Sequence, residues 1–77
     1  MATREEALAI AAIIRHFDPG LKCDVEEEAW DGRFYVYVIA DPGYRPDLQK
    51  VVPGGWLVGE WHNPDYRAEL TAIYKID

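Results

Sequence analysis

The sequence predicts an α+β domain with one N-terminal helix packed on an antiparallel, four-stranded sheet, in the order α-β-β-loop-β-β. Three observations predict it. Apolar residues recur at helical spacing up to Phe17, the runs on either side of Asp31-Gly32 alternate as strands do, and two more strand-like runs follow the stretch 41–55.

Thr3 and Glu6 have the spacing of a capping box, and Leu8, Ala11 and Ala12 with Ile10, Ile13, Ile14 and Phe17 recur at helical intervals behind them, so a helix is expected from about residue 3 to 17. Its apolar arc is broad. That breadth predicts a helix lying across a sheet with only Arg4, Glu5, Arg15 and their neighbours in water. Asp18-Pro19-Gly20 should end it, proline by removing an amide donor and glycine by permitting a left-handed turn.

Asp31-Gly32 is the pair that two-residue hairpin turns favour. Such a turn sets Trp30 opposite Arg33, Glu28 opposite Tyr35, Glu26 opposite Tyr37 and Asp24 opposite Ile39, all on one face. The other face carries Cys23, Val25, Glu27 and Ala29 against Phe34, Val36, Val38 and Ala40, and is the one expected under the helix. Glu27 does not suit it. Either a bulge intervenes, or the first strand is an edge whose end escapes the helix.

Residues 41–55 hold three prolines and three glycines, which predicts a binding loop or a packed excursion with a short turn of its own. Residues 56–62 read as the third strand. In the last segment Ala68, Leu70, Ala72, Tyr74 and Ile76 alternate with Arg67, Glu69, Thr71, Lys75 and Asp77, which favours a strand. The alternative is a C-terminal helix capped at Asn63-Pro64-Asp65, with Tyr66, Leu70, Ile73 and Tyr74 on one side.

The 77 residues fit one small domain, 1–77, whose stability must come from packing, because the single Cys23 cannot close an intramolecular disulfide and no Cys and His set has zinc spacing. The short apolar stretch after Glu5 and Glu6 does not suit a signal peptide or a membrane span, which predicts a cytoplasmic protein of a cell or an infected host cell. The net charge is −6, with Asp24, Glu26, Glu27, Glu28 and Asp31 clustered and the basic residues scattered singly. Direct binding of nucleic acid is therefore disfavoured, and a basic or mixed protein surface is the expected partner.

The chemistry of an enzyme finds little support. Cys23 could be a nucleophile with His16 or His62 as its base, but acidic neighbours and a packed position raise a thiol pKa. Glu26 and Glu28 could act as an acid and base pair, yet a flat strand face offers no cleft to separate their pKa values. No catalytic residue, metal site or cofactor is expected.

The face made by Asp24, Glu26, Glu28, Trp30, Arg33, Tyr35 and Tyr37 is the candidate partner-binding site, since Trp, Tyr and Arg are enriched at interfaces and acids select a basic partner. The plainer reading is a solvated sheet face whose acids guard an edge against aggregation. By analogy, a small acidic inhibitor or adaptor can mimic nucleic-acid charge in a basic groove, as a phage-encoded blocker of a host nucleic-acid-binding machine would. Two rival functions are a homo-oligomer, such as a homodimer, pairing through the Tyr/Trp face, and a small-ligand site using Tyr44, Arg45, Trp56, Trp61 and His62 beside the 41–55 loop.

Overall fold

The computed structural model describes residues 3–41, 43–61 and 72–77. Helix α1 (Arg4–Phe17) is followed by strands β1 (Lys22–Glu27) and β2 (Phe34–Ala40), a 3-10 turn at Leu48–Lys50, and strands β3 (Val58–Trp61) and β4 (Ala72–Ile76). All neighbouring strands are antiparallel, in the order β1-β2-β4-β3. The expected class and element order hold, and residues 72–76 form a strand. Residues 62–71, where the alternative helix would begin, lie outside the described residues.

The capping box forms. Thr3 Oγ1 accepts from the Glu6 amide at 3.2 Å, while Glu6 Oε1 accepts from the Thr3 amide at 3.0 Å, satisfying two amides of the first turn. That exchange holds the Glu6 carboxyl below the ordinary glutamate range. At the other end Asp18 turns extended (φ −146°), the conformation imposed on a residue before proline, and its amide still donates to Ile14 O. Gly20 is not left-handed. Its amide donates to Asp18 Oδ1 at 2.9 Å, so the turn is closed by the aspartate side chain rather than by glycine's freedom.

Ala7, Ile10, Ala11 and Ile14 are buried by α1 against β1 and β2. This stripe is narrower than the periodicity suggests, and Leu8, Ile13 and Phe17 stay exposed. Stretch 41–55 explains the difference. Its Leu48 and Val52 are buried in the same core as Tyr74 and Ile76, so this segment takes over part of the covering that a broader helix contact would have supplied. Gln49 pins it there, donating to Trp56 O at 2.9 Å and accepting from the Val58 amide at 3.2 Å. The stretch is a packed excursion with its own turn.

The hairpin between β1 and β2 keeps the expected faces but not the expected pairs. Asp24 lies opposite Tyr37, Glu26 opposite Tyr35 and Glu27 opposite Phe34, a displacement of two residues from a two-residue turn at Asp31-Gly32. The Gly32 amide donates to Glu28 O and the Glu28 amide donates to Arg33 O, both at 2.9 Å, so Gly32 and Arg33 together oppose Glu28. This is a bulge with glycine in the left-handed region (φ 68°), placed at the end of the loop instead of at its centre. Trp30 and Arg33 therefore do not pair. Side chains alternate with period two, so a shift of two leaves every residue on its predicted face. Glu27 remains in the regular ladder at the exposed end of an edge strand, which is the second of the two explanations for its misfit.

Ile14 is completely buried between helix and sheet. Ile14→Ala should cost about 2–5 kcal/mol, a large part of the stability of so small a domain, read as a fall in the urea midpoint. A cost below about 1 kcal/mol would contradict its place in the core.

Candidate functional site

The sheet face turned away from α1 is built in transverse rows. Asp24, Tyr37, Lys75 and Gly59 stand opposite one another in succession across β1, β2, β4 and β3. Glu26 and Tyr35 form the next row, which Leu57 and Asp77 continue by exchanging two backbone hydrogen bonds at 3.0 Å. Gly59 contributes no side chain to its row, which leaves the β3 side beside Lys75 open.

Tyr35 is only 6% exposed although it faces away from the helix. The stretch 41–55 does not cover it, since Leu48 and Val52 belong to the core on the opposite face. Among the described residues it is Lys75 that lies over its ring. The Lys75 ammonium sits 4.1 Å from the Tyr35 ring centroid, 5.1 Å from that of Trp30 and 5.9 Å from that of Tyr37. A lysine stem laid over rings buries methylenes while its charge gains from their faces, worth about 0.5–2 kcal/mol per such contact.

Each phenol of the face has a carboxylate. Tyr35 donates to Asp31 Oδ2 at 2.5 Å, and Tyr37 donates to Glu28 Oε1. Asp31 Oδ1 also accepts from the Arg33 amide at 2.9 Å. The Tyr35 hydroxyl first, and the Arg33 amide second, hold the Asp31 carboxyl below the ordinary aspartate range, while the same bond pushes the Tyr35 phenol up. Asp24 and Glu26 differ. Both are exposed, and among the described residues neither side chain makes a hydrogen bond or an ion pair.

Trp30, Tyr37, Ile73 and Lys75 line a groove of about 270 Å³ on this face. At its rim Trp30 is 72% exposed, and Leu57, in the row beyond, is 70% exposed. Of the residues named from sequence, Glu28, Trp30, Tyr35 and Tyr37 are brought together, Asp24 and Glu26 flank them on the edge strand, and exposed Arg33 contributes its backbone. Three residues were missed. Lys75 and Ile73 come from β4, and Asp31, read only as a turn residue, holds Tyr35. The alternation of the last segment sets Lys75 on the opposite face from Tyr74 and Ile76, but says neither which face of the sheet that is nor that Tyr35 lies beside it.

Of the residues suggested for a small ligand, Tyr44, Arg45 and Trp56 have described side chains. Tyr44 donates to Asp18 Oδ2 at 2.6 Å, tying the 41–55 stretch to the end of α1, and this bond raises its phenol pKa. Arg45 donates to Tyr44 O at 2.9 Å and stands 3.7 Å from Glu60, while Trp56 packs half-buried against the core. The side chain of Trp61, and the whole of His62, lie outside the described residues. The groove is on the opposite face of the sheet from Leu48 and Val52.

Cys23 is buried on the helix side, where burial pushes its thiol pKa up, with Arg15 opposing and Asp24 adding. Among the described residues no three His, Cys, Asp or Glu side chains converge as metal ligands, and no helix is long and apolar enough to cross a membrane. No protein-family model, curated protein or solved structure matches the chain.

Removing the Tyr35 hydroxyl should release Asp31. In Tyr35→Phe its carboxyl titration, followed by NMR, should move up toward the ordinary aspartate range. Asp31 has a lowered folded pKa, so it contributes stability above its unfolded pKa that is lost as pH falls through the folded value. Tyr35→Phe should therefore flatten the acid limb of the stability profile; an unmoved Asp31 titration would contradict the assignment.

Proposed function

We propose that this chain is a small, non-enzymatic protein-binding module that works by occupying a partner's surface, as an inhibitor or an adaptor. The observation that carries the reading is the pairing of exposed apolar side chains, Trp30 and Leu57, with unengaged acids, Asp24 and Glu26, on one sheet face. A large exposed aromatic beside a groove is costly to leave in water and suits an interface anchor. The acids flank it on one side.

The complementary partner presents an apolar side chain to the groove between Trp30 and Ile73, and Lys or Arg toward Asp24 and Glu26. A second copy of the chain is a poorer occupant, because its acids would meet their own kind across a twofold axis. A cytoplasmic setting, in a cell or an infected host cell, and the blocking of a nucleic-acid-binding machine are extensions of this proposal that rest on charge alone.

Affinity capture from the native cell tests it. At low salt the wild type should retain a basic protein, and high salt should weaken that retention by screening. Asp24→Lys with Glu26→Lys, and separately Trp30→Ala, should lower capture of the same protein by about tenfold or more while circular dichroism stays native. Equal capture by all three proteins at both salt concentrations would overturn the proposal.

A further inference from the structure

The open edge of β1 has a definite polarity of backbone groups. Because Glu28 bonds to Arg33, alternation along the antiparallel ladder makes Glu26 with Tyr35, Asp24 with Tyr37, and Lys22 with Ile39 the bonded pairs. Cys23, Val25 and Glu27 therefore turn their amides and carbonyls away from β2. One of these groups is already engaged. Arg15 Nη2 reaches from α1 and donates to Cys23 O at 2.7 Å, closing the edge at that end. Among the described residues, what stays open is the short stretch from Val25 to Glu27, which runs toward the loop carrying Trp30.

Charge decides what suits that edge. A strand laid against β1 places alternate side chains beside Asp24 and Glu26 on the outer face, and the intervening ones beside half-buried Val25. Cations fit the first set and a small apolar residue fits the second. Another copy of β1 would bring Asp24, Glu26 and Glu27 against their own counterparts, so self-pairing is opposed. We infer that β1 accepts a basic, extended protein segment as a fifth strand, held by the Val25 and Glu27 backbone and selected by Asp24 and Glu26. This rests on the reading above that the partner is a basic protein surface, and adds how the backbone takes part.

The test uses the whole chain and a blocked heptapeptide alternating lysine with valine, and a glutamate and valine peptide as control. NMR should show the Val25 and Glu27 amides exchanging about tenfold more slowly or better with the basic peptide, Asp24 and Glu26 amides unchanged, and no effect from the acidic one. Val25→Pro removes an outward amide and no ladder bond, and should weaken binding about tenfold or more. Because Val25 also touches the core, a second measurement avoids mutation. Methylating the peptide nitrogens at its valines, or else at its lysines, should abolish binding in one case and spare it in the other, since only one set can face β1.

Absence of binding by the basic peptide, or binding without protection of Val25 and Glu27, would overturn the inference. If binding is lost in Asp24→Lys with Glu26→Lys but indifferent to Val25→Pro and to both methylations, strand addition falls and side-chain docking on the acidic face stands. If charge reversal leaves binding untouched, the basic-partner reading falls with it.

Discussion

Strand β2 is apolar or aromatic on both faces, and it has to be covered twice. Beneath it, Val36, Val38 and Ala40 share one buried core with Ile10, Ala11 and Ile14 of α1. Above it, no second helix lies on Tyr35 and Tyr37 among the described residues. The Lys75 stem from β4 lies over them instead, with Trp30 of the hairpin loop beside the same ammonium. A tyrosine buried this way still needs a partner for its hydroxyl, which is why Asp31 and Glu28 stand at that end of the sheet. The acidic and aromatic character of the face follows largely from this need.

The cluster of acids thus divides by task. Glu28 and Asp31 are engaged with phenols, while Asp24, Glu26 and Glu27 remain in water along an edge strand. The composition shows one block of negative charge; the fold divides it into carboxylates bonded to phenols and carboxylates with no side-chain partner among the described residues. The position of the second group on β1 joins it to the unpaired backbone of that edge.

Much of this was legible in the residues. The capping box at Thr3 and Glu6 located the helix start, period-two alternation assigned the faces of β1 and β2, and the same period marked the last segment as a strand. The register was not legible, because a left-handed Gly32 serves a two-residue turn and a bulged loop equally well. Nor was the width of helix burial, which depends on Leu48 and Val52, two apolar residues inside a stretch whose prolines and glycines spoke only of irregular backbone. The site suffered from the same blindness to long-range pairing. Lys75 could be given a face, but its contact with Tyr35 and Trp30 requires that β4 lie beside β2, and nothing local specifies which strands are neighbours.

That strand order also makes one segment answerable for two parts of the molecule. β4 lies between β2 and β3, so residues 72–76 complete both the middle of the sheet and the cover over Tyr35. Without β4, α1 and the β1 and β2 hairpin keep their mutual contacts, but β3 has no neighbour to join and Tyr35 lacks its lysine. The strand that completes the sheet is thus an inner one, with partners on both flanks rather than one. Stripped of it, β2 would present an unpaired backbone flank beside an aromatic surface, the kind of edge that invites pairing with another chain.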